Sequence, residues 1–176
     1  MAPLPTRIVL IGGESTGKTT LAAALAERYR LPWVPEFARD YATSRAGQLT
    51  VDDVEPIARG QLAAEDAALR RSPGGLILDT DLLSTWVYAH HYYGEAPAWL
   101  ASAVTRRVGG LYLFCDIDLP WIADVARDRG ERRAEIQAAF RAELERRSLT
   151  FAGVRGVGSA RLEAALAAIE RHRQPA

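Results

Sequence analysis

Residues 12–19, Gly12-Gly13-Glu14-Ser15-Thr16-Gly17-Lys18-Thr19, constrain this chain more than any other stretch. They match G-x-x-x-x-G-K-[ST], a phosphate loop that joins a strand to a helix. The flanks agree. Arg7-Ile8-Val9-Leu10-Ile11 reads as a short buried strand, and Leu21, Ala24, Leu25 and Arg28-Tyr29 recur at helical spacing. Glycines let backbone N–H groups curl around a phosphate, and the helix N-terminus adds partial positive charge. Lys18 is the only lysine; of the 22 Lys+Arg, the other 21 are arginines. A compact ammonium on a flexible stem reaches between phosphates where a planar guanidinium is too wide. A glycine-rich turn alone is the bland alternative, but strand, loop and Lys18-Thr19-Thr20 at the helix start occur in order. The pattern implies that residues 12–20 bind a nucleoside triphosphate, with Lys18 bridging the β- and γ-phosphates and the Thr19 hydroxyl ligating Mg²⁺.

Short apolar runs at 33–34, 76–78, 111–115 and 151–154 follow the first strand, separated by helical patterns at about 51–71, 82–93, 98–108, 131–147 and 159–171. Such alternation predicts a parallel α/β sheet covered on both faces. At 176 residues and 48% hydrophobic, a single domain over 1–176 is expected. The formal net charge is zero, which argues against a broad nucleic-acid footprint. No apolar run is long enough for a signal peptide or a membrane span. One cysteine, Cys115, permits no internal disulfide and fits a reducing cytoplasm. In a core strand it reads as a small buried hydrophobe. The chain has no asparagine, so the Asn-Lys-x-Asp element that reads guanine is absent.

In parallel sheets of this kind, function gathers at the carboxyl ends of the strands, and four polar clusters fall there. Pro35-Glu36-Phe37-Ala38-Arg39-Asp40-Tyr41 follows the second strand. Glu36 could take a proton from a substrate hydroxyl, or the acids could cap a helix and form surface pairs. Leu76-Ile77-Leu78-Asp79-Thr80-Asp81 ends an apolar strand in two acids. Asp79 suits Mg²⁺; Asp81 suits a cap on the next helix or a substrate contact. Residues 126–133 carry Arg127, Arg129, Arg132 and Arg133, which reads as a lid that neutralises a transferring phosphoryl group. Val154-Arg155-Gly156-Val157-Gly158-Ser159 could pack against adenine, or be a turn with Ser159 as N-cap. Trp86, Tyr88, Tyr92 and Tyr93, with His90 and His91, are expected to pack core or an interface.

Residues 12–19, Glu36-Phe37-Ala38-Arg39-Asp40-Tyr41, Asp79-Thr80-Asp81 and Pro120-Trp121-Ile122-Ala123-Asp124 resemble, in matching order, the ribosylnicotinamide kinase domain of NadR-type bacterial proteins. The E-[FY]-x-R-D-Y and P-W-x-A-D stretches are the more specific parts. The resemblance implies a three-layer P-loop kinase fold with five parallel strands in the order 2-3-1-4-5. It also implies MgATP-dependent phosphorylation of nicotinamide riboside at its 5′-hydroxyl. Carried over by position, Glu36 is the base, and Arg39, Asp40 and Asp81 contact ribose or nicotinamide. Arg127 and Arg133 match lid arginines in a short segment near 124–135. Three departures stand out. The length leaves no room for an adenylyltransferase or a DNA-binding domain, so the expected product is the mononucleotide, without repression of transcription. Pro35 replaces the aromatic that the family tends to place before the glutamate, and the lid is about two residues shorter by alignment. The alternatives are a kinase for another nucleoside or small alcohol, which shares every part except the acceptor pocket, and a non-catalytic ATP switch.

Overall fold

Strand residues point alternately to opposite faces, so a strand covered on both sides must be apolar throughout. That is the burial of β1 (Arg7–Ile11), all five residues of which are buried. The computed structural model of the chain describes residues 3–107, 110–122 and 132–174. β1 pairs in parallel with β3 (Leu76–Asp79) and β4 (Leu111–Cys115). β2 (Trp33–Val34) and β5 (Phe151–Val154) form the edges, giving the order β2-β3-β1-β4-β5. The expected 2-3-1-4-5 parallel sheet is the one observed.

The two faces bury different partners. Val9, Ile11, Leu76, Leu78 and Phe114 pack against α3 (Val54–Arg71), α4 (Leu82–Tyr93), α5 (Ala98–Arg106) and α6 (Arg133–Arg146). Ile8, Leu10, Ile77, Leu113 and Cys115 pack against α1 (Lys18–Tyr29) and α7 (Ser159–His172). Cys115 is fully buried in that second core, and burial pushes its thiol up to about 11, as suits an inert hydrophobe.

Three departures from the sequence reading bear on the site. Glu36 is followed by a helix, α2 (Phe37–Ser44), which the pattern did not mark because only Ala42 of it is buried. The stretch 51–71 is two pieces: a 3-10 turn, Val51–Asp53, closed by a Thr50–Asp53 capping box, then α3. Ser159 is not the cap of α7; Gly158 holds that position at φ 57°. Arg127 and Arg129 lie outside the described residues.

Candidate nucleotide and acceptor site

The phosphate loop is shaped by two glycines that tolerate no side chain. At Gly12, φ is 135° and a Cβ would sit 2.6 Å from the Cys115 carbonyl oxygen. Gly17 has φ 74° and opens α1 with no side-chain cap, leaving first-turn N–H groups facing outward for an anion. The loop is braced from α6. Gln137 accepts from the Gly13 N–H at 2.9 Å and donates to the Cys115 carbonyl at 2.9 Å. Arg133 donates to the carbonyls of Glu14 (3.1 Å), Ser15 (2.9 Å) and Leu119 (2.7 Å). Its guanidinium therefore holds the loop's outer carbonyls, not the cavity where a lid arginine was expected.

Lys18 is 9% exposed. Its ammonium donates to the Gly12 carbonyl (3.0 Å), the Gly13 carbonyl (2.7 Å) and Thr16 Oγ1 (3.3 Å). Three oxygens on one side hold the charge in the loop, suited to attracting phosphate on the other. The Thr19 hydroxyl donates to Asp79 Oδ2 at 2.6 Å. Asp79 Oδ1 is buried with no hydrogen-bond partner among the described residues. A buried carboxylate oxygen with unused lone pairs, beside a hydroxyl, fits a hard cation. Mg²⁺ in such sites takes one or two protein oxygens and completes its shell with water and phosphates. No group of three or more His, Cys, Asp or Glu among the described residues could form an all-protein cage.

A cavity of about 600 Å³ opens beside the loop. Residues 14–20 form one wall, Glu36 and Arg39 another, and Tyr88, Tyr92 and Tyr93 of α4 a third. The Tyr88 and Tyr92 rings lie nearly parallel, centroids 6.0 Å apart. The tyrosines pack against the core, as expected, and the same side of α4 also lines the cavity. Trp86 does not line the cavity; its ring lies under the Arg147 guanidinium and against His90.

Two expected substrate contacts are placed elsewhere. Asp40 is exposed and does not line the cavity. Asp81 is 3% exposed and its carboxylate is committed. One oxygen caps α4 through the Leu83 N–H at 3.0 Å; the other accepts from Tyr112 Oη at 2.7 Å and Arg7 at 3.3 Å. The cap was one of its two sequence readings, and it is the one the geometry supports. Around Asp81 lies a buried charge cluster that the sequence did not announce. Glu65, fully buried, pairs with Arg7 at 3.0 Å and Arg107 at 3.3 Å. Burial, with the nearby Asp81 charge, pushes its carboxyl up to about 7 against the pull of the two arginines.

Beyond β4, Asp118 accepts from the Gly156 N–H at 2.7 Å and from Arg161 at 2.6 Å. Burial opposes its ionisation, but these donors hold its carboxyl below the usual range. Arg161, itself buried, also donates to the carbonyls of Gly156 and Asp116, both at 2.7 Å. The glycine-rich 155–158 turn is thus fixed to the loop after β4. Gln61, which accepts from the Phe37 N–H at 3.0 Å, and Gln137 and Arg161 were missed because an isolated polar residue on a helix carries no pattern. The one usable signal was Gly60, a glycine inside a helical run.

Fold and site together define a nucleotide-binding P-loop protein of the kinase type, with the loop after β1 and an acidic strand end on β3. The family model described as AAA domain matches residues 7–161, and the chain belongs to that family. It is 28% identical over 153 residues to the trifunctional NAD biosynthesis/regulator protein NadR of Escherichia coli, covering 84% of this chain and 37% of that protein. The chain thus spans about a third of that relative's length. A crystal structure of NadR protein in complex with NR superposes with a TM-score of 0.76 at 22% identity, covering 98% of this chain and 52% of that one. Deoxyadenosine kinase from M. mycoides with bound dATP gives 0.62 at 13% identity, covering 94% and 99%.

Proposed function

We propose that this chain transfers the γ-phosphoryl group of ATP to the 5′-hydroxyl of nicotinamide riboside, giving nicotinamide mononucleotide and ADP. The observation that carries the reading is one cavity shared by Lys18 and Thr19, Glu36 and an aromatic face. Phosphoryl transfer asks a protein chiefly for positioning and charge neutralisation. Lys18 and the N-terminus of α1 supply fixed positive charge for the triphosphate. Thr19 and Asp79 are the residues that would hold Mg²⁺, which supplies neutralisation of the phosphate oxygens when bound. Glu36 stands at the β2–α2 junction, half-buried, where it orients the acceptor hydroxyl and takes its proton. Arg39 beside it offers donors to ribose oxygens. The tyrosine wall presents flat faces to a ring such as nicotinamide, and a cationic ring over an aromatic face gains further attraction. The resemblance to NadR supports this acceptor over other nucleosides.

The test is ADP release by purified protein, comparing nicotinamide riboside with ordinary nucleosides. Riboside-dependent turnover at least tenfold above the others is expected. Equal or better turnover with another nucleoside removes the acceptor assignment. Turnover only with an added protein makes the chain a switch. Glu36→Gln at full rate removes the base.

A further inference from the structure

The segment carrying Glu36 joins a short edge strand to a helix that buries little. β2 is two residues long and lies at the sheet edge, and α2 buries one side chain, Ala42. A base must nevertheless be held to within about an ångström of its target. Two neighbouring residues of α3 meet this need. The Phe37 N–H, an orphan donor of the first turn of α2, donates to Gln61 Oε1 at 3.0 Å. Gly60 leaves bare backbone under the Phe37 ring: a Cβ there would lie 2.2 Å from two of its carbons.

Gln61 also reaches the end of β3. Its Nε2 donates to the Thr80 carbonyl and to Glu65 Oε1, each at 3.4 Å. Thr80 follows Asp79 directly and is held at φ 70°, a left-handed conformation costly for a β-branched residue. The amide has one orientation that serves all three partners, since Phe37 needs an acceptor and Thr80 a donor. Gln61 is 2% exposed, so water does not take over these bonds readily.

We infer that Gln61 is a positioning residue that ties the acceptor-side segment Glu36–Phe37 to the metal-side strand end Asp79–Thr80. It does not line the cavity. It sets the span between the two halves of the site, and this role rests on the kinase reading with Glu36 as base.

The experiment pairs Gln61→Met, similar in length but lacking both polar ends, with Tyr112→Phe. The latter disturbs the same buried cluster at Asp81 without touching Phe37. In Gln61→Met, kcat for the best acceptor is expected to fall about 10- to 100-fold, with KM for ATP within about twofold. Tyr112→Phe is expected to lower unfolding stability while keeping kcat. Equal loss of kcat in both variants, or a kcat for Gln61→Met within about twofold of wild type, overturns the assignment. Amide hydrogen exchange without acceptor is the second readout. Exchange at Phe37 should speed at least about tenfold in Gln61→Met, the loss of one buried bond of about 1.4 kcal/mol, and stay slow in Tyr112→Phe. Unchanged exchange at Phe37 overturns the assignment. If wild type turns over no acceptor, the kinase reading fails while exchange still decides the tie. Should Gln61→Met not fold, Gln61→Glu keeps the acceptor for Phe37 but loses the donor to Thr80. Its Phe37 exchange should stay slow and its kcat fall, and a wild-type kcat overturns the inference.

Discussion

Replacing Gly60 by alanine adds one methyl group where the structure has no room. The Cβ would meet three carbons of the Phe37 ring at 2.2, 2.2 and 2.6 Å, against ordinary contact beyond 3.4 Å. The ring must therefore retreat by about 1.2 Å or more. Phe37 is the first residue of α2 and the neighbour of Glu36, so its displacement is passed to the candidate base. Stability and activity should then part company. Alanine is favoured over glycine inside a helix by about 0.5–1 kcal/mol, while overpacking costs about 1–3 kcal/mol. The net loss is at most about 2.5 kcal/mol, and the protein stays folded. A misplacement of about 1 Å at the reacting groups costs on the order of 100-fold in rate. The assay is ADP release under saturating ATP and acceptor, beside a urea unfolding curve on the same preparation. A fall in kcat of about 30- to 100-fold with a modest shift in midpoint is expected. Full kcat with unchanged stability would refute the reasoning, for it would mean the ring swings aside and Glu36 does not depend on it.

Lys18→Arg keeps the charge but brings a fork too wide for the nest of Gly12, Gly13 and Thr16 oxygens, so ADP release should fall by about 100-fold or more. Asp79→Asn removes a charge from the hydroxyl–carboxylate pair at 2.6 Å; the Mg²⁺ concentration for half-maximal turnover should rise about 10- to 100-fold. Glu65, raised from 4.5 to about 7 by burial and Asp81, binds a proton in the folded chain that the unfolded chain has released. Its contribution to stability is therefore full below about 4.5 and is lost as pH rises through about 7. Urea unfolding should show a downward slope across that window, flattened by Glu65→Gln; a slope unchanged by the substitution would refute the assignment to Glu65.

Amphipathic spacing marked α4 over its observed span and ran α3 together with the 3-10 turn before it, while α2, whose eight residues bury only Ala42, carries too little of that spacing to be marked. The same weakness hid the acceptor-side anchor. Asp81 shows a different limit: an acid after a strand is written alike whether it meets substrate or caps a helix. Only the arrival of Tyr112 from β4 and Arg7 from β1 decides which.

The phosphate loop and the parallel α/β layers are legible in the linear chain. A loop that must wrap an anion needs glycines and one slender cation in fixed order, and strands covered on both faces must be continuously apolar. Family resemblance added the strand order. Tertiary structure alone decided what depends on residues distant in the chain. It set Gln61 between Phe37 and Thr80, turned Arg133 onto the loop's carbonyls, and brought three tyrosines to the cavity wall. Side-chain partners across elements are chosen by packing direction and distance, and a linear spacing carries neither.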